Sequence, residues 1–342
     1  MLNRIVLIAI LSVLALGALS AQEDFNAPGQ VQVSQLEFLG KTPPLRTLVE
    51  RPNTNPEKRK AYKANRPQIT RNFQNLQALQ PRPPKQERTT FDPLRQLAIE
   101  KTTNDQVEPF VNYNGIGYSN VVPPDPSVAV GKNHVVQMVN ATLIEIYDKE
   151  GNVVMNEFSA NSLWNSTGFQ SAGDPVILYD HDADRWMITE FAPQGANTLL
   201  IAISETDDPT GSYYVYDFQT PNFPDYPKFG VWPDAYTVGT NELPSVPVYA
   251  LERQKMLNGE ENPKLIRVTA NSLNAAFFPM LLPADWDGDT PPMPGTKPMF
   301  LRVRDGNFSD AVQIYTMTID WDNPNNSSLD DDEVIIEDVD TE

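Results

Sequence analysis

Three stretches of the chain share one pattern, and their spacing constrains the fold more than any other feature. Asp125-Pro126-Ser127-Val128-Ala129-Val130-Gly131 precedes Val135-Val136-Gln137. Asp174-Pro175-Val176-Ile177-Leu178-Tyr179-Asp180 precedes Trp186-Met187-Ile188. Asp225-Tyr226-Pro227-Lys228-Phe229-Gly230-Val231 precedes Ala235-Tyr236-Thr237. The three aspartates lie 49 and then 51 residues apart. Each opens an apolar run, passes a tight turn and enters a second apolar run. A proline beside the acid suits a strand start, where its nitrogen owes no ladder hydrogen bond.

Short strands dominate from Val111 onward. Apolar runs fall at Ser127 to Val130, Val135 to Asn140, Thr142 to Asp148 and Val153 to Phe158. Others follow at Val176 to Tyr179, Trp186 to Phe191, Thr198 to Ser204 and Tyr213 to Phe218. Lys228 to Trp232, Ala235 to Thr240 and Val246 to Glu252 continue the series. Lys264 to Val268, Met299 to Arg304 and Ala311 to Asp320 are less regular. Four strands in about 50 residues is the size of one propeller blade. Runs such as VILY and LLIAIS are apolar on both faces, as sheets stacked between sheets require. The expectation is an all-β fold, a β-propeller-like repeat of four-stranded blades. Three blades are legible and a fourth is expected from Lys264 to Asp320; with no obvious closing strand, either the N-terminal segment contributes strands or the chain is shorter than a closed ring. A β-sandwich is the competing reading.

The ends of the chain are built differently. Met1 to Ala21 carries Arg4, an apolar run from Ile5 to Leu16 and the small residues of a cleavage site, so residues 1–21 read as a Sec-type signal peptide. Residues 22–110 are rich in proline and sparse in apolar residues, with 14 Lys and Arg against 10 Asp and Glu. Such a segment buries too little surface to offset its chain entropy. It reads as a disordered basic linker or pro-segment, with helical turns at Arg71 to Leu79 and Pro93 to Glu100. Residues 111–342 carry 11 Lys and Arg against 35 Asp and Glu. The propeller-like domain is expected over 111–325 and an acidic tail over 326–342. The mature chain has no apolar run long enough to span a bilayer. A secreted or periplasmic location follows. There is no cysteine, which excludes disulfides, thiolate chemistry and a lipoprotein anchor. Nucleic acid is not an expected partner, because the basic run Glu57-Lys58-Arg59-Lys60-Ala61-Tyr62-Lys63 lies in an exported linker.

The stretches DPSVAVGKNHVVQMVN, GDPVILYDHDADRWMITEF, ISETDDPTGSYYVYDF and FPDYPKFGVWPDAYTV resemble a group of large uncharacterised secreted proteins of Bacteroidetes and related bacteria. The resemblance covers about Pro123 to Asp320. It implies a β-propeller, often joined to β-sandwich modules and a C-terminal sorting domain. No sorting domain is legible here, so a truncated relative is expected. The resemblance implies no catalytic residues.

Two acidic spacings are candidate calcium sites. Asp180, Asp182 and Asp184 form D-x-D-x-D, and Asp285, Asp287 and Asp289 surround Gly288. Hard oxygen ligands at alternate positions suit Ca²⁺. The first loop has Arg185 where a calcium loop would place glycine, so the competing reading is an acidic hairpin turn with Arg185 on a carboxylate. No cofactor is required, and calcium is the one ion considered. Zinc is disfavoured by only two histidines, His134 and His181, and no HExxH. The G-x-S-x-G elbow, the phosphate-binding glycine loops and the Asp-boxes of sialidases are absent. Catalytic residues therefore remain unassigned. Tyr226, Trp232 and Trp286 suit sugar stacking or a partner pocket, and blade packing is the plainer role. The expected function is a secreted, non-enzymatic binding or scaffold protein offering propeller loops to a glycan or protein partner. The alternative is a carbohydrate-active hydrolase with paired carboxylates on the propeller face.

Overall fold

The computed structural model describes residues 27–48 and 111–336, apart from 118, 120, 141, 166, 194–195, 271–279, 289 and 305–309. Alternating short apolar runs become four antiparallel sheets, each a consecutive four-strand meander. Blade A comprises β3 (Ser127–Val130), β4 (His134–Val139), β5 (Leu143–Asp148) and β6 (Val153–Ser159). Blade B comprises β7 (Gly173–Asp180), β8 (Arg185–Phe191), β9 (Thr198–Ser204) and β10 (Tyr213–Gln219). Blade C comprises β11 (Asp225–Trp232), β12 (Ala235–Asn241), β13 (Val246–Glu252) and β14 (Lys264–Ala270). Blade D comprises β15 (Leu282–Pro283), β16 (Met299–Arg304), β17 (Asp310–Thr318) and β18 (Ser328–Ile336). The fold is all-β, a β-propeller-like stack of four-stranded blades.

The first strand of each blade lies innermost. β3 packs on β7, β7 on β11 and β11 on β15. At the start of β7 and of β11 the repeated proline motif makes a bulge. The residue before each proline has a left-handed backbone: Asp125 at φ 36°, Asp174 at φ 50° and Tyr226 at φ 52°. Register slips between Gly173 and Val176 and again between Asp225 and Lys228. Aspartate tolerates this conformation better than most residues, whereas tyrosine there is an outlier. The bulge therefore survives the shift of the acid by one position in the third repeat.

Side chains alternate across each sheet, so a middle blade faces two neighbours. In blade B, Ile188, Leu200 and Ala202 join the core shared with blade A. Met187, Leu199, Ile201 and Ile203 point the other way, into the core shared with blade C. A third core joins blade C to Phe300, Tyr315 and Met317 of blade D. Four blades thus share three cores. Every residue of β9 is buried, as its unbroken apolar run predicts.

Two outcomes correct the sequence reading. Residues 22–110 do not begin as a uniform linker: β1 (Val31–Gln35) and β2 (Glu37–Lys41) are strands, and α1 (Leu45–Leu48) is a helical turn. β1 adds antiparallel to β14 and β2 to β10, so blades C and B each gain a fifth, outer strand. Leu36 between them is 1% exposed and Leu45 is fully buried, which anchors the segment. The acidic stretch after 325 is likewise not a tail from its start. β18 pairs with the whole length of β17, from Ser328 opposite Thr318 to Ile336 opposite Asp310. The helical turns expected at 71–79 and 93–100 lie outside the described residues. Two further helical turns are α2 (Asn161–Trp164), after β6, and α3 (Arg253–Leu257), after β13.

Candidate functional site

The candidate site grows from the β7–β8 hairpin. β7 ends at Asp180, and the turn closes when the Ala183 amide donates to Asp180 Oδ1 at 3.0 Å. Asp184 holds φ 54°, a left-handed position that aspartate accepts. The turn projects its three carboxylates toward neighbouring blades, and each meets a group supplied by the chain.

Asp180 is 1% exposed and Arg253, the first residue of α3 on blade C, is 4% exposed. The guanidinium is bidentate: Nε donates to Asp180 Oδ2 at 2.7 Å and Nη2 to Oδ1 at 2.8 Å. Nη2 also donates to Asp182 Oδ2 at 2.9 Å, and Nη1 to the Pro233 carbonyl at 2.9 Å. The Tyr236 hydroxyl of blade C donates to Asp180 Oδ2 at 2.8 Å. Burial works against the Asp180 charge, yet Arg253 outweighs it and holds the carboxyl below the usual carboxylate range. Burial, and then the Asp180 charge, push the Tyr236 phenol well up. Asp184 accepts from the Tyr179 hydroxyl at 3.1 Å and from Lys132 of blade A. Burial and then Asp184 push Tyr179 up to about 12. Arg185 Nη1 donates to the carbonyls of Ala183 and Asp184, at 3.0 and 2.9 Å, so it braces the turn backbone rather than a carboxylate.

The loop is therefore a clamp. Its carboxylates tie blade B to blade C through Arg253 and to blade A through Lys132. Bidentate, desolvated pairs of this kind are the strong class of charged hydrogen bond.

Asp285 follows β15 at the same end of the molecule. Its Oδ1 accepts from the Val231 amide at 2.6 Å, and the Trp286 amide donates to the Val231 carbonyl at 3.1 Å. These bonds extend β11 toward blade D. Desolvation, then the charges of Asp287 and Asp180, push the Asp285 carboxyl up. Asp287 is exposed, and Asp289 lies outside the described residues. Among the described residues, no three His, Asp or Glu side chains form a group able to hold a metal ion. Trp232 donates to the Thr296 carbonyl at 3.1 Å and is 6% exposed, the placement of a packing residue. Tyr226 is 40% exposed and carries the Lys228 ammonium over its ring, 3.7 Å from the centroid.

Three buried acids escaped the sequence reading. Glu190 on β8 is fully buried and accepts from Trp164 Nε1 at 2.7 Å. Burial pushes its carboxyl up to about 8. A carboxylate inside the apolar run Trp186-Met187-Ile188-Thr189-Glu190-Phe191 was the available signal. Glu242 accepts from Thr240 at 2.8 Å and from Tyr249, and faces Arg267 at 3.5 Å. Burial raises it, and Arg267 opposes the rise. At the same end, Asn140 Nδ2 of blade A donates to Asp125 Oδ2 at 2.7 Å. A third acid, Asp217 on β10, stands directly opposite Glu37 on β2. Burial and then Glu37 raise Asp217 to about 6.

No known protein family matches the chain, and no curated protein matches it. Among solved structures, it is similar to a GH43 β-1,3-galactosidase at 11% identity and a TM-score of 0.32, over 60% of this chain and 55% of that one. The WD40 domain of SCAP from fission yeast is similar at 9% identity and a TM-score of 0.28, over 60% and 61%. A subtype N11 neuraminidase-like protein of a flat-faced bat influenza A is similar at 9% and 0.28, over 63% and 73%. This chain spans 55% of the galactosidase's length. No helix among the described residues is long and apolar enough to cross a membrane. Four stacked antiparallel blades, three shared cores and a carboxylate clamp at one end describe a β-propeller-like protein.

Proposed function

We propose that this is an exported, non-enzymatic binding or scaffold protein whose propeller loops engage a glycan or protein partner. The carrying observation is how the chain uses its perturbed acids. Asp180 is spent on Arg253 and Tyr236, Glu190 on Trp164, and Glu242 on Arg267 and Tyr249. All three are buried within blades or between them. A glycosidase needs two carboxylates flanking a sugar, one of them held protonated near neutral pH. The like-charge pair with a raised acid, Asp217 and Glu37, sits on the outer strands of blade B rather than beside the inner strands. The N-terminal segment supports export, and calcium at the acidic loops stays part of this proposal only as an accessory ion.

The test pairs a glycan array with a panel of chromogenic glycosides, both run on the full mature chain. Saturable binding without turnover supports the reading. Turnover that disappears in Asp217→Asn or Glu37→Gln overturns it in favour of a hydrolase.

A further inference from the structure

Among the described residues three arginines are buried, and two of them have an acid. Arg253 is held by Asp180 across the joint between blades B and C, and Arg267 faces Glu242 within blade C. Arg302 makes no ion pair among the described residues. It lies on β16 two residues from Phe300, so both side chains point into the joint between blades C and D. Arg302 is 7% exposed. Gln313 stands directly opposite it on β17, and Tyr315 opposite Phe300. Nε donates to Gln313 Oε1 at 2.9 Å and Nη2 to the Tyr315 hydroxyl at 3.1 Å. The guanidinium carbon lies 5.6 Å from the centroid of the Tyr315 ring. An amide and a phenol are thus its partners, and Nη1 is buried with no acceptor. The contrast with the clamp is electrostatic. Burial works against the Arg253 charge, yet Asp180 outweighs it and raises that guanidinium. Burial lowers the Arg302 guanidinium, and Tyr315 and the exposed Asp331 oppose it only in part. Arginine does not relieve such a deficit by losing its proton, so the charge waits for an anion.

We propose that the joint between blades C and D takes a carboxylate ligand, bound end-on by the Arg302 guanidinium. Gln313 and Tyr315 occupy the side-on edge of the group and fix its plane. Nη1 and the second hydrogen of Nη2 then form the end-on fork, whose spacing matches the two oxygens of a carboxylate. The chain builds the same arrangement internally one joint away. Arg253 grips Asp180 there through two bonds, of 2.7 and 2.8 Å. The ligand supplies at the C–D joint the acid that Asp180 supplies at the B–C joint. Entry needs the two blades to part locally, and this joint has the least to part. Its inner strand β15 is two residues long, whereas β7 and β11 have eight each. The acid excess of the folded half repels anions at long range, which favours a small monocarboxylate over a polyanion. The proposal concerns this joint and stands whether or not the propeller loops engage a glycan.

The test is thermal unfolding of the full chain, read by tryptophan fluorescence, with sodium chloride replaced by sodium acetate or sodium galacturonate at constant ionic strength. Either carboxylate at about ten times its dissociation constant should raise the melting temperature by about 3–6 °C. Arg302→Met should melt at one temperature in all three salts. Gln313→Glu sets a carboxylate of the chain on Nε, so it should melt higher in chloride and respond less to acetate. Should Arg302→Met fail to fold, the Gln313→Glu comparison decides alone. A lower dissociation constant for galacturonate than for acetate assigns the carboxylate to an acidic sugar, and equal constants assign it to a free acid; both support the site. An unsubstituted chain that melts alike in the three salts, or a rise equally large in Arg302→Met or in Gln313→Glu, would overturn the proposal.

Discussion

Arg253→Met removes the cation of the interblade clamp and leaves its carboxylates in place. In the native chain the guanidinium makes two bonds to Asp180, one to Asp182 and one to the Pro233 carbonyl. Asp180 remains 1% exposed, so its charge cannot recover water without opening the joint. Breaking one side of a buried pair in this way costs about 3–5 kcal/mol. For a domain of this size, each kcal/mol lowers the melting temperature by about 2–4 °C, so a fall of roughly 10 °C is expected. The double variant Arg253→Met, Asp180→Leu removes both charges and should recover most of that loss. Urea unfolding of the full chain, read by tryptophan fluorescence, measures both values. A single variant that costs under about 1 kcal/mol would place the pair among ordinary surface bridges and refute the clamp. A double variant no better than the single would refute the reasoning about a stranded charge. Acid should act in the same direction. Asp180 has its folded-state carboxyl held low, so its contribution is present above the usual carboxylate range and is lost as pH falls through the folded value.

Other substitutions test other joints. Glu190 has the opposite sign: its carboxyl is raised to about 8, so the folded chain loses stability as pH rises from the ordinary glutamate range through about 8. Glu190→Gln should flatten that slope in thermal melts and gain about 2–4 kcal/mol at high pH, with little change in acid. Asp217→Asn should remove a decline in stability that runs from the ordinary aspartate range up to about pH 6, since burial and Glu37 raise that acid. Gly239→Ala would put a Cβ 1.9 Å from the Leu281 carbonyl oxygen, where blade C meets the approach to blade D. Overpacking of backbone on backbone should cost about 1–3 kcal/mol, visible as a lower urea midpoint.

The inner blades were legible because their joints demand sequence. Thr198 to Ser204 and Val246 to Glu252 emerge at their expected bounds, since a strand buried on both faces is apolar throughout. The outer additions were not. VQVSQ and EFLGK join β14 and β10 mainly through backbone bonds, which leave little mark on side-chain pattern. SLDDDEVII looks like a solvated tail, and acid is also what an outermost strand uses to stay soluble. The acidic loop gave its position but not its role. Asp180 and Arg253 lie 73 residues apart, and only the stacking of blades B and C brings them together. Glu190 was visible in MITEF but could not be distinguished from a half-exposed strand residue before the blade on its other side was known.

Native-state hydrogen exchange on the full chain is the direct test of a stacked core locked by the clamp. The middle strands β8 and β9 of blade B and β12 and β13 of blade C should open together, with one common free energy. Arg253→Met should split that unit into two blades that exchange separately. Blades B and C that already exchange independently in the unsubstituted chain would contradict the account.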